Sequence, residues 1–293
     1  MPKRSNCYEN PTHPVGAFAG FPARRVLTMQ ASGRTYSRAV RYVAIGDSFT
    51  EGVGDERADG SLRGWADRVA KGLADASGEP VEYANLAIRG RKLGPIVDEQ
   101  LEPALALRPD LITYNGGGND IMRRHVDMAA LMDLSRRVVG RCQEAGVTLI
   151  VLAGPDPTSR IPLGQVVHRR GEALTADIVR LTDEAGLTFV DMWHDQEIRR
   201  PGYWGADRIH LNPAGHRRVA RQVLTAVGYR PPGDDPEPVT EPRRSPADNL
   251  VFYRQHVGPW VRRRVQGRSS GDHRTAKYPD YIVVSPSAAR PER

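Results

Sequence analysis

From Arg41 onward, hydrophobic and polar positions follow two alternating rhythms. Short apolar runs at Tyr42–Ile45, Val81–Ala87, Leu111–Tyr114, Val147–Ala153 and Leu187–Val190 have the length and content of buried strands. Between them, apolar residues return every three or four positions, the period of an amphipathic helix. Gly64–Ala76 carries Trp65, Val69 and Leu73 on one face, and Leu93–Leu107 carries Ile96, Val97, Leu101 and Leu105. Asp127–Ala145 and Gly164–Ala185 follow, closed by Gly146 and Gly186. The last helix, Pro213–Val227, has Asn212 at its N-cap and Pro213 in its first turn. Five alternations of strand and helix predict an α/β fold: a parallel sheet covered by helices on both faces. In such a sheet, ligands sit beyond the carboxyl ends of the strands, where the winding direction switches. The loops after the first three strands and the loop before the last helix are therefore the places to look for chemistry.

The two ends depart from this rhythm. Residues 1–39 read as a disordered leader, with Met29 as an alternative start. Val15–Phe21 holds two glycines, too weak an apolar stretch for a secretory signal. Residues 40–228 form the expected catalytic domain. After Tyr229 a Pro-rich linker leads to an amphipathic helix at about 248–267, kinked at Pro259, and residues 229–293 end in a polar, basic tail expected to be disordered. The helix is expected to dock its short apolar stripe on the core; peripheral membrane contact through the tail is the alternative.

Composition bounds the class. Of the 293 residues, 39% are hydrophobic and 26% charged, values of a soluble globular chain. No apolar run approaches the roughly 20 residues of a membrane-spanning helix. The net charge of +7 is concentrated at the ends. Residues 40–228 carry 24 basic against 26 acidic side chains, and only four of the 42 basic residues are lysines. Nucleic acid is not an expected partner. Two cysteines, Cys7 and Cys142, make neither a disulfide framework nor a zinc site. They fit free thiols in a reducing compartment, so a cytoplasmic location is expected. Nothing in the sequence sets the oligomeric state.

Four loops carry candidate chemistry. Gly46-Asp47-Ser48-Phe49-Thr50-Glu51-Gly52 follows the first strand and places a serine hydroxyl at the sheet edge. By itself this loop fits a nucleophile or a structural turn equally well. It lacks the lysine and spacing of a phosphate-binding P-loop, and the G-x-S-x-G elbow is absent. Gly90 follows the second strand, where its N–H is a candidate oxyanion donor. Asn115-Gly116-Gly117-Gly118-Asn119-Asp120 follows the third, with glycines that admit close approach and an amide able to donate to a developing oxyanion. Asp207-Arg208-Ile209-His210 precedes the last helix, at a spacing that lets the carboxylate reach one imidazole nitrogen while the other faces outward. Trp204 and Arg123 are weaker candidates for substrate contact. Asp191, His194 and Asp195 read as a solvated loop rather than a metal site, and His216 as a residue that packs in the core or faces solvent rather than a catalytic one.

Taken in order, Gly46-Asp47-Ser48, the Gly90 turn, Gly117-Gly118-Asn119-Asp120 and Asp207-x-x-His210 resemble the signature blocks of the SGNH hydrolases, or GDSL esterases and lipases, over about residues 40–228. Phe49 stands where that family often has leucine. The resemblance implies a three-layer α/β/α sandwich with a five-stranded parallel sheet of flavodoxin-like order, and no metal or cofactor. It implies Ser48 as nucleophile, His210 as general base, Asp207 as the residue orienting it, and Ser48, Gly90 and Asn119 as the oxyanion hole. The expected substrate is a small or lipid-like acyl ester. An acyltransferase or thioesterase would use the same residues. A non-catalytic binding module recruited through its basic tail is the rival from another class.

Overall fold

In the structure, a computed structural model, residues 39–161, 164–233, 237–238, 254, 258 and 269–288 are described. The chain divides into residues 1–34 and 35–293, and everything below concerns the second unit. The expected leader (but for Ala39) and the expected helix at 248–267 (but for Arg254 and Gly258) lie outside the described residues.

Among the described residues, six strands form one sheet: β1 (Val40–Ile45), β2 (Val81–Asn85), β3 (Leu111–Tyr114), β4 (Thr148–Ala153), β5 (Thr188–Asp191) and β6 (Tyr278–Val284). Their order is β5-β4-β3-β1-β2-β6. The first five are parallel. The register is Ala44 beside Asn85, Ile45 beside Tyr114, Tyr114 beside Val151 and Ala153 beside Asp191, so their carboxyl ends align along one edge. The helices are α1 (Ser48–Glu51), α2 (Gly64–Ser77), α3 (Leu93–Ile96), α4 (Glu102–Ala106), α5 (Gly118–Ile121), α6 (Met128–Glu144), α7 (Gly164–Glu184) and α8 (Pro213–Ala226). α3 and α4 are joined by a π-helical turn, Val97–Leu101, where the sequence periodicity predicted one continuous α-helix.

Alternation along β1 splits the core into two layers. Tyr42 and Ala44 pack with Trp65, Val69, Val219 and Val223 of α2 and α8. Val43 and Ile45 pack on the other face with Ile96, Leu101, Val138 and Leu174 of the remaining helices. The winding direction reverses at β1, whose neighbours are β2 and β3, and this switch point is where the Ser48 and Asn119 loops emerge.

The sixth strand corrects the sequence reading. Residues 278–284 were expected in a disordered tail; they pair antiparallel with β2, Val81 beside Val284 and Tyr83 beside Ile282, with a bulge before Asn85. Pro279 lacks a donor and is tolerated because β6 is an edge strand. Just before β6, Lys277 is driven into the interior. Its Nζ donates to Asp67 Oδ2 (2.7 Å) and to the carbonyls of Arg63 (2.8 Å) and Glu51 (3.2 Å). Both side chains of the Lys277–Asp67 pair are only 9% exposed. Removing one charge of such a pair strands the other without water. Lys277→Met is expected to cost about 3–5 kcal/mol in urea unfolding, and the double change Lys277→Met, Asp67→Leu to recover most of that loss.

Candidate active site

The β1–α1 bend is built around Asp47. Its Oδ1 accepts the Phe49 N–H (3.1 Å), capping the short helix that begins with Ser48. Its Oδ2 accepts from Asn119 Nδ2 (3.1 Å), so one buried carboxylate ties the first and third loops together. Burial pushes the Asp47 carboxyl up to about 6, against the pull of the Phe49 N–H, His210 and Asn119. Behind it, Gln100 in the π-helical turn holds Gly46 through both backbone groups, at 2.8 and 3.0 Å. Glu51 ends α1 and binds Arg89 through its guanidinium (2.6 Å to Nη2) and its backbone N–H (2.7 Å). That pair locks the Gly90 turn to the serine helix.

The Asp207–His210 loop follows from how one carboxylate divides its oxygens. Oδ1 accepts the N–H groups of Ile209 (3.1 Å) and His210 (3.0 Å), folding the loop, while Oδ2 sits 2.5 Å from His210 Nδ1. Arg208 takes a positive φ of 61° to close the turn, a strained conformation for a side chain of its size. Burial would raise Asp207, but the bonds and charge from His210, with the two amides, outweigh it and hold the carboxyl at about 2. It is therefore ionised across the neutral range. The serine loop approaches closely here: a Cβ on Gly54, whose φ is 97°, would lie 2.1 Å from the Leu211 carbonyl.

Ser48, Gly90, Asn119, Asp207 and His210 all line one cavity of about 310 Å³. Its far walls are largely apolar, including Tyr114, Val151, Leu174, Ile178 and Trp193. Among the described residues, the N–H groups of Ser48 and Gly90 have no acceptor. The Ser48 hydroxyl forms no hydrogen bond to His210, an arrangement that in unliganded sites commonly tightens only with substrate. Asn119 Nδ2 gives its N–H groups to Asp47 and to the Arg91 carbonyl (3.0 Å), so serving an oxyanion requires exchanging one of these.

Two sequence candidates fall elsewhere. Trp204 is not among the lining residues; it is buried in the α2–α8 layer, its Nε1 donating to the Ile198 carbonyl (2.7 Å) and the Arg160 guanidinium over its ring. Arg123 also stays outside the cavity wall, and its carbonyl accepts from Arg170 (2.6 Å). Both lie close in sequence to site residues, but the chain turns their side chains away. His194 bridges Asp191 and Glu172 at the surface, and Asp195 pairs with Arg218. Sequence reasoning missed Gln100 and Arg89, polar residues in an apolar stripe and beside a glycine turn, and Ser270, which also borders the cavity.

Fold and site define a class of design, an α/β sandwich with a serine, a histidine–aspartate pair and free backbone donors at the switch point. The chain belongs to the GDSL-like lipase/acylhydrolase family, whose model matches residues 44–218, and is a carboxylic ester hydrolase of the SGNH type. It is 33% identical over 193 residues to the GDSL lipase Rv0518 of Mycobacterium tuberculosis, covering 62% of this chain and 79% of that one. Among solved structures, the lipase Lip_vut3 from a goat rumen metagenome matches with a TM-score of 0.55 at 19% identity, covering 66% of this chain and 99% of that one. An acetylxylan esterase of Geobacillus stearothermophilus, Axe2, matches with a TM-score of 0.54 at 19% identity, covering 66% and 97%. These structures share the fold.

His216, on α8, is a core residue at the rim of the site. Nδ1 accepts the Trp65 N–H (3.2 Å) and Nε2 donates to the Val53 carbonyl (3.1 Å), which fixes the neutral tautomer. Burial lowers it to about 4, with the Val53 bond opposing. The unfolded chain takes up a proton near about 6.5. The stability that His216 contributes is therefore lost as pH falls from that value, and its loss is complete once the folded form protonates near 4. In urea unfolding between neutral pH and pH about 4, the parent is expected to lose on the order of 3 kcal/mol more than His216→Gln, a difference that sets aside the opposite contribution of raised carboxyls such as Asp47.

Proposed function

We propose that this protein hydrolyses carboxylic esters with a medium-length apolar acyl group, through a Ser48–His210–Asp207 triad and an acyl-enzyme intermediate. The observation that carries this reading is the cavity itself: Ser48, Gly90 and His210 stand together on its wall, and hydrocarbon side chains line the space beyond them. An acyl chain buried there exchanges water for apolar contact.

The steps follow from the groups present. Ser48 Oγ attacks the acyl carbon as His210 Nε2 accepts its proton. Asp207 accepts the Nδ1–H, fixes the tautomer and stabilises the imidazolium while staying ionised. The carbonyl oxygen becomes an oxyanion facing the N–H groups of Ser48 and Gly90, with the Asn119 amide as third donor. Each donor lowers the barrier by about 3 kcal/mol. His210 returns the proton to the departing alcohol. It then takes a proton from water, whose oxygen attacks the acyl-enzyme, and gives that proton to Ser48 as the carboxylic acid leaves.

On p-nitrophenyl esters of increasing acyl length, kcat/KM is expected to rise from acetyl to octanoyl. Ser48→Ala is expected to lose about a thousandfold or more on every ester. Thr175 lines the cavity beside Leu174 and Ile178, and Thr175→Phe, which fills that apolar part, should penalise octanoyl esters and spare acetyl. Equal turnover by Ser48→Ala and the parent rules out the nucleophile; equal chain-length profiles in parent and Thr175→Phe rule out the acyl cavity.

A further inference from the structure

The region that follows the family-matched domain is joined to the site. Ser269 Oγ donates to the Gly90 carbonyl (3.2 Å), and Ser270 lines the cavity alongside Arg89 and Gly90. The fit is close. A Cβ at Gly90 would meet Ser269 Oγ at 2.2 Å, and one at Gly271 would meet the Arg89 carbonyl at 1.9 Å. Lys277 then fastens the segment to the Glu51 carbonyl at the end of the serine helix, and Glu51 in turn holds Arg89. Beyond that, β6 is zipped to β2, whose carboxyl end leads into the Gly90 turn. The segment therefore touches the Gly90 turn from one side and the serine helix from the other.

The sheet order places Ser270 relative to an ester. Ser48 follows β1, the Gly90 turn and Ser270 lie on the β2 side, and the apolar walls at Val151 and Trp193 lie on the β4 and β5 side. An ester attacked at Ser48 with its acyl chain in the apolar space directs its alcohol toward β2. We infer that residues 269–277 are a strap that completes the alcohol side of the pocket, with Ser270 as the specificity-determining residue that meets the leaving group. This inference rests on the hydrolase reading above. The Ser270 hydroxyl has no hydrogen-bond partner among the described residues, and the residue is exposed at the mouth, so a larger side chain there narrows the pocket without entering the core.

The test holds the acyl group constant and varies the alcohol. Ethyl, benzyl and 1-naphthyl butyrate are assayed with the full chain, Ser270→Trp and Ser48→Ala. Ser270→Trp is expected to raise KM about tenfold for the naphthyl ester and progressively less for the smaller alcohols, with kcat moving far less than KM. Thermal unfolding of Ser270→Trp should match the parent. Unchanged KM for all three esters overturns the strap's role, as does an equal shift of kcat and KM whatever the alcohol. Ser48→Ala reports separately on the chemistry. Its full activity overturns the nucleophile, while the effect of Ser270→Trp is still read against the parent's own kinetics.

Discussion

The site depends on how Asp207 shares its two carboxylate oxygens. One gathers the amides of its own loop; the other fixes the imidazole of His210 at 2.5 Å. The first action sets the position of the ring and the second its tautomer. A single side chain thus converts a three-residue spacing into an imidazole of fixed orientation on the cavity wall. The half-buried ring would otherwise be free to rotate, and orienting it beforehand removes that cost from the proposed reaction.

The fold supplies the rest by convergence. Serine, glycine and asparagine come from the loops after β1, β2 and β3, which the switch in winding direction sets side by side. Those loops are cross-braced by buried polar pairs. Asp47 joins the first to the third, Glu51 and Arg89 join the first to the second, and Gln100 holds Gly46 from beneath. Each bond reaches a group that burial would otherwise leave unsatisfied, so the braces are also what makes burial of these loop ends affordable. The C-terminal segment adds a further brace, with Lys277 at Glu51 and Ser269 at Gly90.

Much of this was legible in the sequence. The five parallel strands read clearly because both faces are covered, so they are short and mainly apolar, with only isolated polar residues such as Arg41 in β1 and Glu82 in β2. Asp207 and His210 were legible because both ends of their contact lie within one turn. Other features depend on distant partners. β6 pairs with β2 from almost the other end of the chain; Pro279 and polar flanks mask its Tyr281–Val284 run, and antiparallel pairing at an edge leaves no local signature. Lys277 looks like an ordinary surface cation until Asp67 is placed opposite it. Trp204 misleads in the opposite sense: its nearness to His210 along the chain suggests a shared pocket, yet the turn delivers it to the core, where its indole N–H finds the Ile198 carbonyl.

The central claim is that His210, oriented by Asp207, makes the Ser48 hydroxyl a nucleophile. Its most direct test is covalent trapping: exposure to a p-nitrophenyl alkylphosphonate, with tandem mass spectrometry to locate the adduct and release of nitrophenol to time it. A single adduct on Ser48, forming about a hundredfold or more slower in His210→Ala, is the result expected. An adduct on another residue, or a rate at Ser48 indifferent to His210, would contradict the claim.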